Sequence, residues 1–188
     1  SVFYDCKKLT AIGTIKSVTK DGVSKDEFVE GAMPSGLTTV GESAFRFAKI
    51  SKIYLPATIA TIGNWAFAYS DVEIAEIETE DVDGVAKSDL VSIGKSAFEG
   101  TPLYSFTIPE STSDVTVGEM AFRACYNLET LNISSSLKSG LDDALLGTIV
   151  LKNVNIAATN ENYSAENGVV YNKLKDTVIC LYAKPDVD

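Results

Sequence analysis

The sequence predicts a solenoid, in which coils of one repeated design stack and each gives one short strand to a narrow parallel β-sheet of about six rungs. Three observations predict it. The string Gly-x-x-Ala-Phe recurs in "VGESAF" (40–45), "IGNWAF" (62–67), "IGKSAF" (93–98) and "VGEMAF" (117–122). The phenylalanines fall 22 residues apart from Phe45 to Phe67, 31 from Phe67 to Phe98 and 24 from Phe98 to Phe122. After each Phe and a short polar or small tract comes an apolar triplet spaced i, i+3, i+5.

Along the chain, "VFYDCKKLTAI" (2–12) matches "AFRACYNLETL" (121–131), so the chain is expected to open on the second half of a repeat. An interruption occupies 14–39. The triplets are then Ile50, Ile53, Leu55; Val72, Ala75, Ile77; Leu103, Phe106, Ile108; and Leu128, Leu131, Ile133. The last two members of each alternate with polar residues, the period of a strand buried on one side. "AEIETEDVDGVAKSDLVSIG" (75–94) inserts about eight residues, most of them within 78–90. "SLKSGLDDALLG" (137–147) loses the glycine-first order, but Leu145 takes the Phe place and Leu151, Val154, Ile156 form a further triplet. Phe3 and Leu145 thus mark the outer rungs. A unit of 22–24 residues cannot bury its own apolar face, so stacking is its route to a core. Six parallel strands make a sheet roughly 25 Å across. From Asn160 the pattern changes, and "NGVVYNKLKDTVICLY" (167–182) reads as a hairpin around "NKLKD" that covers the last rung. The whole chain, 1–188, forms a single domain, with regular repeats over about 36–134, degenerate ones at 2–15 and 141–156, and the cap at 160–184.

Each motif position has a physical reason. Gly41, Gly63, Gly94 and Gly118 supply either a positive φ or close approach to the next coil. Ala and Phe point inward, and successive Phe rings stack in the core. Cys6 and Cys125 share one place, three after the Phe, on coils too far apart for a disulfide; they read as buried thiols. Cys180 faces opposite Ile179, on whichever side that leaves it.

Composition narrows the function. The chain is 45% apolar and 22% charged, carries −10 net charge and has no histidine. The acidic balance opposes nucleic-acid binding. The missing histidine excludes Ser-His-Asp and Cys-His catalysis and histidine zinc sites. Three cysteines without a CxxC pair form no disulfide framework. No apolar run spans a bilayer, and no signal peptide opens the chain. There is no P-loop, Rossmann fingerprint or nucleophile elbow. The reading is a non-enzyme without cofactor or metal. Asp81, Asp83 and Gly84 in "EIETEDVDG" (76–84) echo part of a calcium loop but miss its ligand spacing. Asn162-Tyr163-Ser164 is a formal glycosylation sequon.

The pattern "IGxxAFxxCxxLxxLxIP", best seen in "VGEMAFRACYNLETLNIS" (117–134) and "IGKSAFEGTPLYSFTIPES" (93–111), resembles the BspA-like class of bacterial leucine-rich repeats. The resemblance implies an α/β fold, a right-handed leucine-rich-repeat solenoid with short helical or turn segments between its strands and a C-terminal β-hairpin cap. It also implies a cell-surface or secreted bacterial protein whose expected role is adhesion to a host extracellular protein or glycan.

Solenoids bind through an extended face. Between the core positions of the strands lie Lys52 and Tyr54, Ile74 and Glu76, Ser105 and Thr107, Thr130 and Asn132, and Asn153 and Asn155. They predict a polar ribbon with an aromatic at one end, extended by Tyr104. This is the candidate ligand face of a monomeric adhesion module. The alternative is a spacer array that binds nothing, and a weaker third reading is self-association through end rungs.

Overall fold

In the computed structural model, residues 13–20 and 23–182 are described. Strands are numbered in chain order. The alternating half of each triplet forms the strands β4 (Lys52–Leu55), β6 (Ile74–Ile77), β10 (Ser105–Ile108), β12 (Thr130–Ile133) and β14 (Asn153–Ile156), which pair in parallel in the order β14-β12-β10-β6-β4. Ile53, Ala75, Phe106, Leu131 and Val154 point into the core, each 5% exposed or less. Among the described residues the sheet has five strands. Ala32 adds a single parallel bridge to Tyr54 at its first edge. The copy at 2–12, with Phe3 and Cys6, lies outside the described residues.

A second parallel sheet, not expected from the sequence, forms just before the glycines. It consists of β3 (Thr39–Val40), β5 (Thr61–Ile62), β9 (Ser92–Ile93), β11 (Val115–Val117) and β13 (Leu137–Ser139), in the order β13-β11-β9-β5-β3. Val40, Ile62, Ile93 and Val117 bury their side chains, and their neighbours Thr39, Thr61, Ser92 and Thr116 line the outside.

The third side of each coil corrects the predicted class. No helix occurs among the described residues, so the fold is a β-solenoid and not α/β. Instead the Gly-to-Phe segment is a run of turns whose alternate N–H groups bond in two directions. Ala44, Arg46 and Ala48 donate back to the carbonyls of Gly41, Ser43 and Phe45. Ser43, Phe45 and Phe47 donate forward to Asn64, Ala66 and Ala68 of the next coil. The same forward ladder runs from Trp65, Phe67 and Tyr69 to Lys95, Ala97 and Glu99, and from Phe98 and Gly100 to Ala121 and Arg123. A helix would spend all its N–H groups internally; the turns split them, which ties coil to coil.

That split demands left-handed backbone at fixed places, and the glycines are not those places. Ser43, Trp65, Ser96 and Met120, two residues later, have φ between 51° and 59°. Gly63, Gly94 and Gly118 serve close approach, the other half of the expectation, whereas Gly41 on the first coil has open space around it. A Cβ on Gly94 would lie 2.6 Å from the Asn64 backbone nitrogen. Stacking at this distance brings the phenylalanines into one column. Ring centroids are 5.3 Å apart for Phe45–Phe67, 5.1 Å for Phe67–Phe98 and 5.6 Å for Phe98–Phe122, with planes within 12° of parallel. Phe106 tilts against Phe98 and Phe122. Cys125 is buried, its Sγ 3.2 Å from the Phe98 carbonyl oxygen and 3.4 Å from Thr101 Oγ1. Burial pushes its thiol up to about 11.

The irregular segments are hairpins and a bulge. β1 (Gly13–Lys20) pairs antiparallel with β2 (Val23–Glu30), so most of the first interruption is one hairpin. β7 (Glu80–Val82) and β8 (Val85–Lys87) form another around Asp83 and Gly84, both at positive φ, as a tight hairpin turn requires. Between Leu137 and Ser139 the second sheet shifts register by one residue, and Gly140 just beyond has φ 99°. Leu141 then stands in the place of the motif glycine, and its side chain is buried.

The cap has one strand more than the predicted hairpin. β15 (Tyr163–Glu166), β16 (Val169–Asn172) and β17 (Val178–Leu181) make a three-stranded antiparallel sheet. Asn160, fully buried, donates its amide to the carbonyls of Ser134 and Leu137, and its Oδ1 accepts from the N–H groups of Asn162 and Tyr163. Tyr163 Oη accepts from the Leu141 N–H. These side chains satisfy backbone groups that another coil would otherwise meet. Ile179 and Cys180 are both half-buried, so alternation separates them less than a flat strand would.

Candidate functional site

Parallel in-register pairing turns the outward positions of the first sheet into two straight columns. One runs Lys52, Ile74, Ser105, Thr130, Asn153. The other holds Tyr54 beside Glu76, then Thr107, Asn132 and Asn155 in register. All ten side chains are exposed or half-exposed, and Tyr104, 53% exposed, flanks them. The predicted ribbon therefore exists as a surface.

At its C-terminal half the columns are hydrogen-bonded along the solenoid axis. Asn155 Nδ2 donates to Asn132 Oδ1 at 2.8 Å, and Asn132 Nδ2 donates to Thr107 Oγ1 at 3.0 Å. Asn153 Nδ2 donates to Thr130 Oγ1 at 3.3 Å. The ladder fixes amide orientation, so donors and acceptors are presented in set places. Lys52, Tyr54, Ile74 and Glu76, at the other end, offer charge of both signs and the apolar area of a ring. Such a face can recognise a partner by hydrogen bonds and shape.

Two further surfaces were missed by reasoning on strand positions alone. On the turn side, Phe47 and Tyr69 stack at 5.6 Å, and the Arg46 guanidinium carbon lies 4.9 Å from the Phe47 ring centre. Tyr69 Oη donates to Glu99 Oε1 at 2.6 Å, and Arg123 Nη1 donates to the same oxygen at 2.8 Å. Burial would raise the Glu99 pKa, but hydrogen bonds from Tyr69, Ser96 and Arg123 prevail and hold it below the usual glutamate value. The hydrogen bond to Glu99 in turn raises Tyr69. The signal was present in sequence: both arginines of the chain stand one residue after a core Phe. Along the second sheet, the Thr39, Thr61, Ser92, Thr116 column and the glycines bound an open trough of about 600 Å³. The repeated Thr/Ser-Val/Ile-Gly string encodes it.

Other sequence features resolve without a site. Asp81 Oδ1 accepts from the Gly84 N–H at 3.1 Å, the bond of a hairpin turn. Among the described residues no group of three or more Cys, Asp or Glu could hold a metal, and no helix is long and apolar enough to cross a membrane. Asn162 of the sequon donates its amide to the Leu137 carbonyl, and Tyr163 is buried.

Comparison with known proteins agrees with this geometry. Residues 1–82 and 84–173 match the family described as BspA type leucine rich repeat region, in six copies. A crystal structure of a leucine-rich repeat protein from Eubacterium ventriosum is similar at 26% identity and TM-score 0.65, covering 82% of this chain and 39% of that one. The crystal structure of the pneumococcal vaccine antigen PcpA is similar in fold at 19% identity and TM-score 0.54, covering 90% of this chain and 55% of that one. The chain thus spans 39% and 55% of the two solved chains. No curated protein matches it.

Proposed function

Because the chain belongs to the BspA-type leucine-rich-repeat family, we propose that it is a non-enzymatic interaction module of a cell-surface or secreted protein, adhering to a host extracellular protein or glycan through the ribbon on the first sheet. One observation carries the reading. Ten side chains from five strands stand in two registered columns on a rigid sheet, with amide orientation fixed by the Asn155–Asn132–Thr107 ladder. Preorganised polar groups lose little entropy on binding. Tyr54 and Tyr104 supply the aromatic contact area that interface anchors use. The family model and the Eubacterium ventriosum structure are both of leucine-rich repeat proteins, which supports a binding role.

One observation favours the spacer alternative: the ladder amides already bond to neighbouring side chains of the ribbon and need no ligand. A screen of the protein against extracellular-matrix proteins and a glycan array, with and without calcium, decides between them. Adhesion requires a saturable hit that disappears in the triple variant Tyr54→Ala/Glu76→Ala/Thr107→Ala while circular dichroism stays unchanged. Absence of any hit at tens of micromolar protein (about −6 kcal/mol of binding) moves the assignment to a spacer.

A further inference from the structure

The two halves of the ribbon differ in chemistry, and the difference selects a partner. On β4 and β6 the columns carry Lys52, Tyr54, Ile74 and Glu76. On β10, β12 and β14 they carry Ser105, Thr107, Thr130, Asn132, Asn153 and Asn155, all neutral and all able to hydrogen-bond. The residues just before these three strands are Tyr104, Glu129 and Lys152, and the two charges among them meet in an ion pair at 2.8 Å.

The neutral half keeps hydrogen-bonding capacity to spare. An amide has two N–H groups and two oxygen lone pairs. The ladder uses one N–H each of Asn132, Asn153 and Asn155, and one lone pair of Asn132. Asn132 thus retains a donor and an acceptor, Asn155 retains a donor and its whole Oδ1, and the Thr107 and Thr130 hydroxyls, acceptors in the ladder, retain their hydrogens. No protein group takes up this remainder among the described residues. A carboxylate or sulfate offers acceptors alone and an ammonium offers donors alone, whereas a sugar hydroxyl gives and accepts at once.

Three further observations favour a sugar chain over a polypeptide. The core of a protein interface is apolar, but here apolar area lies only at the rim, where Tyr104 before β10 is 53% exposed and Tyr126 before β12 is 61% exposed. Aromatic faces beside a hydrogen-bonding surface suit pyranose rings, which have apolar C–H faces and polar edges. Parallel pairing repeats the polar groups at about 4.8 Å along the axis, close to the advance per sugar of an extended pyranose chain. The chain carries −10 net charge, and the cation nearest these strands, Lys152, is already paired, so a sulfated or carboxylated glycan is disfavoured. We propose that the half of the ribbon on β10, β12 and β14 binds a neutral linear glycan lying along the solenoid axis, about one sugar ring to a coil. The proposal rests on the reading of the ribbon as an adhesive face.

The probes are neutral linear oligosaccharides of glucose, galactose, mannose and N-acetylglucosamine, one to six rings long, with heparin fragments of matched length as the anionic control. Titration calorimetry reads affinity, and amide chemical shifts locate binding. Affinity for a neutral oligosaccharide should rise with length to about three rings, one per neutral rung, and then level off; added salt should leave it unchanged. Asn132→Ala/Asn155→Ala should weaken binding on the order of tenfold, and Tyr104→Ala should weaken it too. Lys52→Ala/Glu76→Ala, at the other end, should leave it unchanged, and urea unfolding verifies that each variant is folded. No binding of any neutral oligosaccharide at millimolar concentration overturns the proposal, as does tighter binding of heparin. A matrix glycoprotein that binds through the ribbon equally before and after enzymatic removal of its glycans overturns it while the adhesive reading stands. Failure of both oligosaccharides and matrix proteins overturns both.

Discussion

Replacing Phe98 by alanine tests the stacked column where it matters most. Phe98 has no exposed surface and sits between Phe67 at 5.1 Å and Phe122 at 5.6 Å, with Phe106 tilted against it at 5.1 Å. Truncating a buried Phe costs about 3–5 kcal/mol through lost transfer energy and the cavity left behind. Each ring pair adds about 0.5–1.5 kcal/mol beyond area burial, and Phe98 belongs to three of them. Neighbouring coils are tied by backbone bonds through Phe98 N–H to Ala121 and Phe67 N–H to Ala97, so the cavity cannot close by collapse. The loss therefore lies at the upper end, about 5 kcal/mol. Urea unfolding followed by circular dichroism measures it, with Ile149→Ala as control because Ile149 is 80% exposed and should change stability by less than about 0.5 kcal/mol. The position of Phe98 in the middle of the array gives a second readout: solenoid stability is a sum over neighbours, so the variant should unfold in two steps or with a reduced denaturant slope. A loss below about 2 kcal/mol with an unchanged slope would refute the stacked column as the source of cohesion.

Three other predictions follow from named contacts. The Glu99 pKa lies below its unfolded value, so its stabilisation is complete above pH 4.5 and is lost as pH falls through the lower folded pKa; Glu99→Gln should be less stable at pH 7 and should flatten the acid limb of a pH–stability curve. Gly94→Ala places a Cβ 2.6 Å from the Asn64 backbone nitrogen and should cost about 1–3 kcal/mol by thermal unfolding, while Gly36→Ala, with open space around it, should be near neutral. Cys125, buried and pushed up to about 11, should resist iodoacetamide at pH 8 until the protein is unfolded, as mass spectrometry of the alkylated chain would record.

Strand, core and stack were legible because they depend on side-chain pattern. The triplets placed every strand of the first sheet, and Gly-x-x-Ala-Phe placed the column of rings. The second sheet escaped because two residues, such as Thr39–Val40, are too few for alternation to register. The helical expectation failed because it came from family resemblance, while the hydrogen bonds of the turns lie between coils, where no local pattern reports them. Positive φ was sought at glycine, its usual bearer, yet Trp65 and Met120 carry it; coil-to-coil bonding on both sides outweighs their local strain of about 1–2 kcal/mol each. In the cap, "ENG" held an Asn-Gly turn signal that was passed over, and Asn167 and Gly168 both have positive φ between β15 and β16. The ribbon residues were found from alternation alone. Their amide ladder was not, since it requires Thr107, Asn132 and Asn155 to stand in register on three coils.

The two kinds of inter-coil bonding divide the molecule between cohesion and recognition. In the parallel sheets, bonds run both ways between neighbours, as Val115 N–H to Ser136 and Gly118 N–H to Ile93 show. On the turn side, the ladder of alternate backbone N–H groups runs forward, from Ser43 to Asn64 through to Ala124 to Leu146. A one-directional ladder cannot close on itself: it must finish in unpaired donors that only a carbonyl, a carboxylate or water can satisfy. The cap answers most of what the last coil exposes, through Asn160 at the carbonyls of Ser134 and Leu137 and Tyr163 at Leu141. The ribbon is different in kind, because its strands spend their backbone groups within the sheet and present side chains alone. Substitutions on the ribbon should therefore retune its surface chemistry at little cost in stability.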